Sequence, residues 1–291
     1  MTLAAGLIVF RFFHYTALMV LFGSALFPLY AAKLSAAEFR WPVLIAAIAA
    51  LASGILWFAF TAGSMSGSLK DVLSFAVLSL VARETGFGRL WLARLILLIG
   101  ATGIFAGARA SRKRWVAGTA LAAVVTASVA WTGHGPEGGN FHAAADALHL
   151  TSAAIWIGAL AALLYLLLRE RRAETIRDAL IGFSGIGPAV VSVLLLSGIA
   201  NGWFLIGPEN LLRTLSTSYG VVLAAKIALF AAMLGLAALN RYRLTPRLDA
   251  SLPSSDAAVQ ALRWSVLGET ALAALVLAAV ALLGILSPPS L

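Results

Sequence analysis

Cysteine is absent from the 291 residues, which excludes disulfides, thiolate metal sites and redox thiols. Charge is scarce too. Only 11% of residues are Asp, Glu, Lys or Arg, less than half of the roughly 25% usual in a soluble domain. That is too few to coat a water-facing surface of this size. Acidic residues are the scarcer sign, twelve against 21 basic ones, for a formal net charge of +9. No GxxxxGK[ST] phosphate loop occurs, so the chain contains no nucleotide-driven motor. HExxH and GxSxG are missing as well, and nothing else marks an enzyme. No stretch alternates polar and apolar residues as barrel strands would.

What is present is apolar: 61% of residues are hydrophobic, gathered in long runs rather than on one face. Runs of about 18 or more apolar residues are candidates to cross a bilayer. Lipid accepts only helices or closed barrels, because every backbone polar group must be satisfied within the protein. Leu- and Ala-rich runs such as ALAALVLAAVALLGIL read as helix. The expectation is an all-α polytopic bundle of about eight transmembrane helices, forming one integral membrane domain over 1–291. The spans are expected near 3–31, 42–62, 90–108, 115–133, 142–168, 184–206, 216–240 and 263–286. The first lacks a basic leader and is too long for a signal peptide, so it reads as a retained helix. DVLSFAVLSLVA, between the second and third spans, is too short to cross and reads as interfacial or re-entrant.

The positive charge collects in alternate loops, so it reads as topology rather than as a nucleic-acid surface. One set holds Lys33, Arg40, Arg109, Arg112, Lys113, Arg114, Arg169, Arg171, Arg172, Arg177, Arg241, Arg243 and Arg247. The other holds only Lys70, Arg83, Arg89 and Arg213. The richer set is expected in the cytoplasm. Both termini then lie outside, in the periplasm of a Gram-negative cell. Trp41, Trp91, Trp115, Trp131 and Trp203 fall near span ends and read as interfacial anchors.

Ionisable residues inside membrane helices are costly and are functional candidates by default. The densest group is HGPEGGNFHAAADALH, residues 134–149. His142, Asp146 and His149, spaced by four and three, share one helical face within roughly 60°. His134 lies across a Gly- and Pro-containing turn and can fold back toward that face. Imidazole suits copper, zinc, iron and nickel, and Asp146 can ligate a metal or orient an imidazole. The first span brings His14 and Met19 as further candidates. Met65 in an outer loop offers a soft thioether. The same spacing also fits a structural polar network or a proton relay. Lys226 and Glu269 fall at similar depth and read as an ion pair, and Arg94 with Asp146 as another. Arg11 has no evident partner.

Several segments together resemble the copper resistance protein D (CopD) family nearly from end to end. They are RFFHYTALMVLFGSALFPLY, TGFGRLWLARLIL, DALHLTSAAIWIGAL, VLLLSGIANGWF and TSYGVVLAAKIALFAAMLGLAALNRYRLTP. The resemblance implies an eight-helix inner-membrane protein of copper handling, which moves copper toward the cytoplasm beside a small periplasmic CopC-like copper-binding protein. It supplies the metal's identity; the ligands His134, His142, His149 and Asp146 rest on spacing. Two other functions fit the same residues. One is electron transfer through a haem b held by His14 and His149. The other is a non-transporting membrane partner of a periplasmic copper chaperone.

Overall fold

The computed structural model describes residues 2–31, 34–107, 111–132, 139–169, 173–248 and 255–287. Among these, eight helices are long and apolar enough to cross a bilayer, as the hydrophobic runs imply, and no strand occurs. The helices are α1 (Leu3–Tyr30), α2 (Arg40–Ser66), α3 (Phe75–Glu84), α4 (Gly86–Gly107) and α5 (Arg112–Ser128). They continue with α6 (Gly139–Arg169), α7 (Ala173–Leu205), the single turn α8 (Leu211–Leu215), α9 (Ser218–Leu239) and α10 (Ser255–Leu283). The apolar segment before α4 forms the ten-residue α3, too short to cross. Its Phe75 and Leu80 are exposed beside α4, as an interfacial helix requires. α7 and α10 begin well before the expected 184 and 263. Their first turns carry Glu174, Arg177 and Asp178, or Asp256, Gln260 and Arg263, which hide the helix from a purely apolar reading.

α6 is the centre of the bundle. It packs against α1, α5, α7 and α10, and 61% of its most apolar window is buried. α9 lies at the edge, mainly on α10, with only 6% of its window buried. Ile45, Ile55, Ile96, Ile99, Leu196, Ile199 and Ile227 point outward, where lipid rather than water is the solvent. Lipid removes the hydrophobic drive between helices, so close approach of small residues must hold them together. Gly23 of α1 and Gly158 of α6 meet backbone to backbone: a Cβ on either would collide with the other helix. Ser24 Oγ donates to the Gly158 carbonyl at 3.0 Å across the same crossing.

Arginines finish helix C-termini, where carbonyls lack partners and the dipole is negative. Arg40 donates to the carbonyls of Phe105 and Ala106 at the end of α4, and Arg263 to that of Leu167 at the end of α6. Trp41, Trp131 and Trp203 are exposed near helix ends, as anchors should be. Trp91 and Trp115 are not anchors: both are buried. Trp115 donates its indole N–H to the Ala25 carbonyl at 2.7 Å, and Trp91 packs on His14. Position near a span end did not reveal that these two face inward.

Candidate metal site

His142, Asp146 and His149 do share one face of α6, and that face meets α7. His142 stacks on Phe204, with ring centroids 4.9 Å apart. Asn201 Nδ2 donates to Asp146 Oδ1 at 3.1 Å. His149 Nδ1 lies 3.1 Å from Ser197 Oγ. The spacing 142, 146, 149 on α6 is answered by 204, 201, 197 on α7, as two antiparallel helices in one register demand. Sequence reasoning missed the α7 partners, although SGIANGWF carries the same intervals, four then three.

The hydrogen bonds fix the tautomer of His149. Ser197 Oγ donates to the Val193 carbonyl at 2.5 Å, so its hydroxyl proton is already engaged. His149 Nδ1 therefore carries the hydrogen and donates to Ser197, leaving the Nε2 lone pair for a ligand. A metal-binding histidine is oriented in the same manner by a donor bond from its other nitrogen. Lys226 of α9 lies near enough to Asp146 to act on it through its charge, without a direct ion pair.

The other candidates lie elsewhere. His14 is fully buried in a cage of indoles, 5.5 Å from Trp57 and 5.2 Å from Trp91 between ring centroids. Its Nδ1 lies 3.0 Å from the Ala50 carbonyl, which can only accept, so Nδ1 is protonated and Nε2 is bare. Nε2 is buried without a partner. Arg94 adds positive potential at this ring. Tyr15, the next residue of α1, is the one coupled to Asp146; one step along a helix turns a side chain by about 100°. Met19 is buried in the apolar core. His134 and Glu137 lie outside the described residues. Among the described residues, no group of three or more His, Asp or Glu side chains is arranged to hold a metal ion. The reason is axial spread: His142 to His149 covers about 10 Å of helix, and each side chain has its own neighbour on α7.

The two expected ion pairs do not form. Glu269 accepts instead from Trp156 Nε1 at 2.9 Å and Asn240 Nδ2 at 3.1 Å, while Lys226 interacts with Asp146. Lys226 and Glu269 are not level in the bundle: Asn240, the residue just beyond α9 that meets Glu269, lies about 21 Å along the helix from Lys226. Arg94 donates to the hydroxyl and carbonyl of Ser128 at the end of α5. Arg11 lies over the Trp57 ring at 5.4 Å and reaches the Ala281 carbonyl.

Comparison with known proteins bears on this arrangement. The copper resistance protein D-like N-terminal domain matches residues 1–143, and the copper resistance protein D domain matches 177–283. Copper resistance protein D of Pseudomonas syringae pv. tomato is 35% identical, over 96% of this chain and 95% of the relative. Inner membrane protein YebZ of Escherichia coli (strain K12) is 31% identical, over 98% and 99%. Copper transport protein CutJ of Bacillus subtilis (strain 168) is 42% identical over 33% of this chain, which is 18% of that relative. No solved structure matches significantly. The eight apolar helices and the two near-full-length relatives lead to one conclusion: the chain belongs to the copper resistance protein D family, as a multi-pass protein of the inner membrane.

Proposed function

We propose that the chain carries copper from the periplasm toward the cytoplasm, taking it up at the end of the bundle where α6 begins. The observation that carries this reading is the α6–α7 seam, in which His142, Asp146 and His149 stand in one row and Ser197 orients the His149 ring. Copper is the cargo; the names of the copper resistance and copper transport relatives support that choice of metal. His142 and His149 supply imidazole nitrogen, and Asp146 lowers the cost of a cation entering low dielectric. His134, eight residues before His142 in the sequence, is assigned to the same capture group. Because ligands are spread along the seam, the ion is handed from one to the next rather than locked in a closed shell. The bias of Lys and Arg supports a periplasmic location for this end and for both termini. A small CopC-like protein is the donor that fits such an entrance.

His14 and Met19 stand outside the capture step in this reading. Arg94 opposes a cation at His14, and Met19 is enclosed by apolar side chains. An absorption spectrum without a Soret band is the expected result for the purified protein.

The test is copper uptake into proteoliposomes by wild type and by the His142→Ala/His149→Ala double variant. Uptake is expected to fall to the protein-free background in the double variant. Equal uptake by the two proteins removes the seam from the mechanism.

A further inference from the structure

Glu269 stands midway along α10 and is 1% exposed. A buried carboxylate is costly unless a cation or several donors compensate it. Here the partners are two neutral N–H groups, Trp156 Nε1 on Oε1 and Asn240 Nδ2 on Oε2. Charged groups on the elements packed around α10 are engaged elsewhere. Arg11 of α1 reaches Ala281, Lys226 of α9 interacts with Asp146, and Asp146 and His149 of α6 face α7. Arg263 of α10 donates to Leu167 and Arg241 to Ser184. Arg243 and Arg247 are exposed beyond α9, and Glu174, Arg177 and Asp178 lie in the first turns of α7. The influences resolved on Glu269 are its burial and the two N–H donors.

Asn240 is placed with care. It opens a π turn, Asn240–Leu244, a feature that recurs at functional sites. The Thr245 N–H and hydroxyl both donate to the Asn240 carbonyl, which holds the backbone while the amide faces Glu269. The other end of that amide, Oδ1, is buried without a partner although Asn240 is only 7% exposed. Ser265 Oγ, one turn before Glu269 on α10, is likewise buried and unpartnered. An ionised Glu269 needs the donor Nδ2. A protonated Glu269 needs an acceptor, and a half-turn of the amide brings Oδ1 into the same place.

We propose that Glu269 and Asn240 form an exchangeable proton site at mid-bundle, in which the Asn240 amide rotates to serve both protonation states. One proton from the aqueous phase forms an O–H bond at Glu269 Oε2, and that O–H donates to Asn240 Oδ1. Release reverses both steps, and no bond to carbon changes. Two N–H donors on the carboxylate leave it poorly suited to an alkali cation, which would compete for the same lone pairs. The site deepens the transport reading, and rests on it only in that the proton would be the coupling ion of a carrier without a nucleotide motor.

The experiment is infrared difference spectroscopy between acidic and alkaline buffer on the full chain in lipid. The expected result is a carbonyl-stretch band of a protonated carboxyl, sensitive to deuterium, that is lost in Glu269→Gln. In Asn240→Ala the band is expected to persist at a shifted frequency, since its O–H has lost its acceptor. A band unchanged in either variant overturns the proposal, as does a midpoint displaced when Na+ replaces choline. Copper uptake under a pH gradient separates the two readings. Wild-type vesicles that take up no copper, with the Glu269 band present, refute transport and leave the proton site standing.

Discussion

At the residue scale, the buried polar groups divide by what their neighbours can donate or accept. Asp146 has both a neutral donor, Asn201, and a cationic neighbour, Lys226; Glu269 has neutral donors alone. A double-mutant cycle tests that division through reversible unfolding in mixed micelles. Alanine at Asp146 and Lys226 is expected to show a coupling of about 0.5–3 kcal/mol, and alanine at Lys226 and Glu269 to be additive within about 0.5 kcal/mol. Ser197→Ala removes the acceptor that orients His149 without touching its Nε2. Copper affinity is expected to fall about 10- to 100-fold with the fold intact, as for other groups that orient a ligand. Competition with a copper chelator measures it. Of these groups, the face shared by His142, Asp146 and His149 was legible in the sequence, because a helix's period fixes it. The partners were not. Glu269 meets Asn240, about 21 Å along the helix from Lys226, and counting residues from span ends that hydropathy locates only loosely does not fix depth that finely.

At the element scale, the spans were legible because lipid demands about 20 apolar residues in a row, and the sequence offers eight such runs. Helix ends were less so. α7 and α10 continue into charged turns beyond the apolar stretch, and the π turn after α9 leaves no mark in hydropathy. The crossing of α1 and α6 was likewise hidden, since Gly23 and Gly158 are two glycines among 26. Their contact makes a sharp expectation. Gly158→Leu should force α1 from α6 and lower the melting temperature and the folded yield. Gly103→Leu, where an added side chain meets open space on α4, should leave both unchanged. Thermal unfolding followed by size-exclusion chromatography reads both variants.

At the scale of the whole molecule, the bundle has a central helix and an unlike pair of ends. α6 is enclosed by α1, α5, α7 and α10, and it carries the candidate ligands near its first turns. The opposite end is rich in arginine, part of it spent on the terminal carbonyls of α4 and α6. This asymmetry follows the charge bias and gives a direction to the proposed transport. Reporter fusions at either terminus are expected to be active only when the reporter is one that works in the periplasm. The central claim is that copper is held at the α6–α7 seam by His142 and His149. Metal analysis of the protein, loaded with copper and then desalted, tests it most directly. Wild type is expected to retain copper and the His142→Ala/His149→Ala variant to lose it; equal copper in the two would contradict the account.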